Sequence, residues 1–179
     1  MIGLPQIGIR RGVLADAPAV ADLARRTFRD TFAEHNTDAD MDTYLRGSFS
    51  TERIEREIVE AENLFLLAEI GDSPLPLGYA KLATSPAPAP VGGSKPIELA
   101  RLYVDRIAMG RGVGAALMNA CLEQAERLQR STIWLGVWEH NSRAIAFYAR
   151  WGFVRVGSQS FRLGSDDQSD WVMARPVRT

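Results

Sequence analysis

The sequence predicts an α/β domain whose mixed, mostly antiparallel sheet is flanked by helices, and three observations lead there. The stretch Ile97 to Phe153 reads in order as an apolar run, a glycine loop (Gly110, Gly112, Gly114), a helical pattern to about Arg130, a strand (Thr132 to Trp138) and a short helix to Arg150. Before it, the apolar runs Leu64 to Ile70 and Leu77 to Leu82 are separated by Gly71, Asp72, Pro74 and Pro76, which predicts an antiparallel pair. After it, Val154 to Phe161 and Gln168 to Ala174 flank Gly164 to Asp167 and predict a second such pair. A chain of 179 residues fills one core and is short for two, so residues 1–179 are read as a single domain.

The remaining elements follow in order. Gln6 to Val13 alternates weakly and predicts a first strand. Asp16 offers an N-cap and Pro18 sits in the first turn, so the apolar spacing of Val20, Leu23, Ala24, Thr27 and Phe28 predicts a helix over about 17–28. From Asp30 to Asp42 the chain is acidic. One continuous helix would stack Asp30, Glu34, Asp38 and Asp42 at intervals of four, where like charges repel, so a break near Asn36 is expected. Thr37 with Asp40 three residues later then caps a short helix through Leu45. Thr51 to Glu60 predicts another helix, with Ile54, Ile58 and Val59 as its apolar face. Ser85 to Pro96, with four prolines and Gly92-Gly93, predicts a mobile surface loop.

Composition narrows the function classes. Hydrophobic residues make up 46% and charged residues 24%, an ordinary globular balance. A net charge of −1 supplies no basic field, which disfavours nucleic acid and anionic lipid as partners. No apolar run approaches a membrane span, and Met1 to Arg11 lacks a signal core, so no membrane association and a cytoplasmic location are expected. The one cysteine, Cys121, lies in a helical apolar pattern and reads as buried filler. No ligand set clusters in sequence, His35 and His140 included, so no metal is expected.

The glycine loop carries the chemistry. Glycines let backbone N–H groups approach an anion, and the helix start behind them adds partial positive charge. Gly110, Gly112 and Ala115 satisfy the dinucleotide spacing, but five residues separate Gly110 from the strand end at Val104 and no acidic residue follows in the right window. A triphosphate loop is excluded because no Gly-Lys-Ser/Thr follows. Arg111 inside the loop and the N–H groups from Gly112 to Ala115 could share one phosphate. Further on, Asn141, Ile145 and Tyr148 share a helix face, where Asn141 is either an N-cap or a cofactor contact and Tyr148 either a core aromatic or a proton donor. Glu98 opens the central strand on the face expected for Ala100, Leu102 and Val104, where a carboxylate could have a raised pKa and accept a proton through water.

Taken together, Glu98 to Val104, Gly110 to Gly114, Trp134 to Trp138, Asn141, Phe147-Tyr148 and Trp151 to Phe153 resemble the GNAT superfamily of acetyl-CoA-dependent N-acyltransferases. In that family's loop pattern Gly112 and Gly114 match, and Met109 stands where Gln or Arg is usual. Trp134 to Asn141, Ala144 to Tyr148, Phe28 to Asn36 and the tail residues Ser160, Phe161, Gly164, Gln168 and Asp170 are similar, more narrowly, to the bacterial PaiA-type polyamine acetyltransferases. Members of that group are named both as spermidine/spermine acetyltransferases and as regulators.

The resemblance implies a splayed pair of central strands and acetyl-CoA as cosubstrate. It places Leu102, Tyr103, Val104, Met109, Gly110, Arg111, Gly112, Val113, Gly114 and Asn141 around that cosubstrate. Glu98 becomes the base relay and Tyr148 the general acid in direct attack by a primary amine, without an acyl-enzyme. Asp30, Glu34 and His35 would meet the amine, with Asp166, Asp167 and Asp170 adding to a negative rim. A polyamine is the leading acceptor. The alternatives are a protein or peptide amine, or a CoA-binding regulator with little turnover. Dimers are common in families of this kind, which leaves a homodimer open.

Overall fold

The computed structural model describes residues 6–71, 73, 75–163 and 165–177. Seven strands form one sheet: β1 (Ile7–Arg11), β2 (Asn63–Ile70), β3 (Gly78–Ala83), β4 (Pro96–Val104), β5 (Thr132–Trp138), β6 (Val154–Leu163) and β7 (Asp166–Pro176). Their spatial order is β1-β2-β3-β4-β5-β7-β6. Every neighbouring pair is antiparallel except β4 with β5. That parallel step requires a crossover, and the glycine loop and the following helix supply it. Both expected strand pairs form. Asp72, Pro74 and Gly164 of their turns lie outside the described residues, as does the side chain of Asp166.

Among the described residues five α-helices cover the sheet: α1 (Ala17–Phe32), α2 (Asp38–Ser48), α3 (Thr51–Val59), α4 (Val113–Arg127) and α5 (Ser142–Arg150). Period-2 alternation divides the strands cleanly. Leu66, Ala80, Ile97, Ile133 and Met173 pack with Leu117, Met118, Cys121 and Tyr148 on the α4 and α5 face. Phe65, Leu67 and Tyr79 pack with Leu23, Phe28, Met41 and Ile54 on the α1 to α3 face. Cys121 is buried filler, and its thiol is pushed up to about 12 by burial.

The break in the acidic segment is present. α1 ends at Phe32, a single 3-10 turn follows, and Thr37 Oγ1 accepts the Asp40 N–H at 3.2 Å to start α2. α1 runs one turn beyond the predicted end because Phe32 still has a buried seat. Asp16 departs from its expected role. Its carboxylate turns back to accept the Val13 N–H at 2.8 Å and the Arg10 guanidinium, leaving α1 with no side-chain cap. The Ser85 to Pro96 segment is anchored at its centre, contrary to the mobile loop predicted. Val91 is buried against Trp134, Val172 and Ala174, and the Lys95 N–H donates to Ser131 Oγ at 3.0 Å.

α3 corrects a second reading. Val59 is 65% exposed, whereas Glu57, on the helix side turned to the sheet, is buried. Arg101 donates to both Glu57 oxygens at 2.7 and 3.2 Å, Lys81 Nζ lies 3.0 Å away and Arg53 Nε 2.9 Å. Burial pushes the Glu57 carboxyl up, but Arg101, Lys81 and Arg53 together outweigh it and hold it below its ordinary value. One carboxylate thus fastens α3 to β3 and β4.

Two expectations follow. Glu57→Gln leaves two buried cations without their shared carboxylate, and unfolding free energy at pH 7 is expected to fall by about 3 kcal/mol or more. The folded pKa is depressed, so the stabilisation is complete above the ordinary value of 4.5 and lost as pH falls through the folded one. Urea unfolding from pH 7 to pH 3 should therefore show the gap between variant and wild type closing on the acid side. At the start of α4, Gly112 has φ +87° whereas Gly114 lies in the helix, where an added Cβ meets nothing closer than 3.6 Å. Gly112→Ala is expected to cost about 1–2 kcal/mol, and Gly114→Ala to hold or raise the melting temperature.

Candidate active site

The site begins where the central ladder stops. β4 and β5 pair only through Pro96, Ile97 and Glu98 with Thr132, Ile133 and Trp134. One residue beyond Leu99 the β3–β4 register slips, Leu82 facing Leu99 and Lys81 facing Arg101, so Ala100 is the extra residue of a bulge. A bulge bends its strand and increases the local twist. β4 bends away from β5, and the backbone from Leu99 to Val104 loses its partner on that side. The opening is a cleft of about 800 Å³ running through the sheet.

The bulge also corrects the face assigned to Glu98. Ile97 and Leu99 lie on the α4 side before it, and Leu102 and Val104 lie on that side after it. Glu98 therefore shares the opposite face with Arg101 and Tyr103, not with Leu102 and Val104. Its carboxylate accepts from Ser85 Oγ, and it is not among the residues lining the cleft.

At one end of the cleft the glycine turn leads into α4. Ala116 makes the first intrahelical bond, to Gly112 O at 2.9 Å, so the N–H groups of Val113, Gly114 and Ala115 have no acceptor within the helix. Gly112 brings no side-chain cap. Gly110 has φ +75° with open space where a Cβ would stand. These donors, with the helix dipole, form a seat for an anion. Met109, Gly110, Gly112 and Gly114 line the cleft, as do Leu102, Tyr103, Val104 and Asn141. The Val113 side chain is buried beneath the turn, and Arg111 is exposed and outside the lining. The cations that line the cleft on this side are Arg106, Arg143 and Arg150, and the Arg143 guanidinium lies 3.1 Å from Met109 Sδ. Sequence reading passed over Arg143; a cation in the first turn of a helix, against the dipole, was the available signal.

α5 brings two expected residues to the same opening. Asn141 Oδ1 accepts the Ala144 N–H at 3.1 Å, so it is the N-cap of α5 as well as part of the wall. Tyr148, 9% exposed, lines the cleft and packs edge-on to Phe147 and Phe153. Burial raises its phenol above the ordinary range, so it keeps its proton at neutral pH.

The opposite end lies on the α1 to α3 face and is aromatic and acidic. Phe28 stacks on Tyr44 at 4.7 Å, Tyr44 meets Phe161 at 5.6 Å, and Phe32 meets Trp138 at 5.7 Å. Asp30 and Glu34 line this end; His35 does not, but its ring packs on Trp138 at 4.9 Å. Other acids of the segment are engaged elsewhere: Asp42 with Arg29 at 2.8 Å, and Asp40 with Ser165 N–H at 2.8 Å. In the tail, Asp167 pairs with Arg162 on the surface, whereas Asp170 is 9% exposed and faces the cleft. Asp170 was expected at the rim and is instead part of the interior.

Among the described residues no three metal-binding side chains gather, and no helix is long and apolar enough to cross a membrane. Residues 18–153 match the model of the acetyltransferase (GNAT) family. An uncharacterised N-acetyltransferase in the pepI 3' region of Lactobacillus delbrueckii subsp. lactis is 31% identical over 162 residues, 90% of this chain and 92% of its own. An uncharacterised N-acetyltransferase of Mycobacterium tuberculosis is 31% identical over 164 residues, 92% of this chain and 99% of its own. Among solved structures, the PaiA N-acetyltransferase from Thermoplasma acidophilum in complex with coenzyme A has a TM-score of 0.76 at 23% identity, covering 96% of this chain and 99% of that one. The yncA structure from Salmonella typhimurium with its cofactor acetyl-CoA has a TM-score of 0.66 at 19% identity, covering 96% and 94%. With the family model spanning most of the chain and relatives aligned nearly end to end, this chain belongs to the acetyltransferase (GNAT) family, the acetyl-CoA-dependent N-acetyltransferases.

Proposed function

We propose that the chain transfers acetyl from acetyl-CoA to a cationic primary amine, a polyamine of the spermidine class first among acceptors, by direct attack with both substrates bound. The observation that carries this is the polarity of the cleft, with helix N–H donors and arginines at one end and carboxylates among aromatic rings at the other. Anions are drawn to the first end by the dipole and cations to the second by charge and by ring faces. The likeness to the PaiA protein is one of fold and is compatible with that acceptor class.

In this reading the N–H groups of Gly112 to Ala115, with Arg143 and Arg106, hold the pyrophosphate. Arg143 beside Met109 supplies the charge that Met109 cannot. The unpaired backbone between Leu102 and Val104 holds the amide-bearing arm, and its N–H donors polarise the acyl carbonyl. Acetyl-CoA supplies a thioester, whose sulfur leaves more readily than an alkoxide or amide. Tyr148 keeps its proton until a sulfur anion needs it. Asp30 and Glu34 attract the amine, and His35 buttresses Trp138 beneath them. Glu98, bonded to Ser85 away from the lining, contributes to the floor of the strand and not to proton transfer.

Tyr148→Phe is expected to lower kcat by about 10²-fold or more and to leave acetyl-CoA affinity by calorimetry unchanged. An unaltered kcat removes Tyr148 as the acid. The reading as a whole is tested by thiol release from acetyl-CoA with and without spermidine. Amine-dependent release is the expected result. Release with an N-terminal peptide amine but not spermidine moves the acceptor to proteins, and acetyl-CoA binding without release to any amine makes the chain a sensor.

A further inference from the structure

Asp170 is the one carboxylate of the cleft that is both deeply buried and incompletely bonded. Its Oδ1 is enclosed and has no hydrogen-bond donor. It stands on β7, directly opposite Trp138 of β5 and Gln159 of β6, on the sheet face that also carries Val172 and Ala174. An ionised oxygen buried without a donor is costly, and proteins retain such a group where something else supplies the donor. The backbone beside it is close: a Cβ at Gly136 would stand 3.3 Å from Asp170 Oδ2 and 2.7 Å from Gln159 Nε2, so a side chain there would crowd both. Asp170 itself lines the cleft. The rings of Trp138, Phe161 and Tyr44 frame the approach and line the same space.

We infer that Asp170 anchors the acceptor ammonium through its carboxylate and then takes its proton. The inference rests on the acetyl transfer to an amine proposed above and names the base of that reaction. One N–H bond of the ammonium breaks, its electron pair remains on nitrogen as the nucleophile, and the proton resides on the Asp170 carboxylate until solvent in the cleft removes it. Geometry and charge agree with this role. Burial, with Glu139 adding to it, pushes the Asp170 carboxyl up to about 6. At neutral pH it is ionised and ready to accept, and it is a stronger base than an exposed aspartate. The other titratable groups facing this region are Tyr44 of α2, Asp30 and Glu34 across the cleft, Arg101 of β4, and His35 and His140 against Trp138. Arg101 donates to both oxygens of Glu57, which offsets part of its charge on its own side.

The test compares wild type with Asp170→Asn, which keeps the shape and removes the charge, and Asp170→Ala, which only removes atoms. Two readouts are taken across pH 5 to 9: kcat/KM for spermidine by thiol release, and spermidine affinity by calorimetry. In wild type, kcat/KM is expected to rise through an acid limb near pH 6. Both variants should lose that limb and about 10²-fold or more in kcat/KM, bind spermidine at least tenfold more weakly, and keep acetyl-CoA affinity. Wild-type rates and an intact acid limb in folded variants overturn the assignment while leaving the acetyltransferase reading in place. If wild type releases no thiol but binds spermidine through Asp170, the anchoring stands and the transfer reading falls. If wild type neither reacts with spermidine nor binds it, both are overturned.

Discussion

The parting of β4 from β5 is the constraint on which the rest of this structure depends. A strand in the middle of a sheet normally has both rows of backbone groups engaged, because leaving them buried and unbonded is expensive. Here the ladder runs for three residue pairs and stops. The bulge at Ala100 bends β4, and β7 holds β5 along its entire length from Thr132 to Trp138, so β5 cannot follow. In the reading proposed above, a ligand with its own amides and carbonyl completes the row. Fold and binding site are thus one arrangement.

Around that gap the charges are sorted by distance and burial. The dipole end of α4 and Arg143 make one extremity positive without burying a cation. On the far face, Glu57 offsets one of the two positive charges that Lys81 of β3 and Arg101 of β4 bury there, which weakens their field toward the acidic end. Without that carboxylate the floor of the proposed acceptor region would repel a cation more strongly. Glu57 therefore links the attachment of α3 to the electrostatics of a site it does not touch.

Much of this was legible in the sequence, because it is written in local chemistry. β5 was read with its observed ends, the glycine turn was placed before α4, and Thr37 with Asp40 marked the break in the acidic segment. What escaped depended on contacts distant in sequence. The alternation of β4 predicts Glu98 beside Leu102, and one extra residue inverted the parity; nothing in the apolar run announces a bulge. Val59 read as core and Glu57 as surface because the cations that make Glu57's burial tolerable come from two other strands. The proline loop read as mobile because its anchor, Val91, inserts beneath β5 and β7, strands far along the chain. Asp170 read as part of a rim because a lone acid in a strand is usually solvated. Of the candidate site, the cleft gathers Tyr148, Asn141, the glycines, Asp30 and Glu34, and excludes Glu98 and Arg111.

The separation of the cleft's two mouths bears on the order of events. The glycine turn opens beside α4 and α5, whereas the aromatic and acidic end opens beneath α1 and α2, on the other side of the same sheet. In the proposed reading, acetyl-CoA and the amine enter by opposite ends and meet only at the parted strands, so the seating of one leaves the route of the other clear. In kinetic language, that arrangement lets either substrate arrive first and an acetylated product depart while the spent carrier is still in its seat.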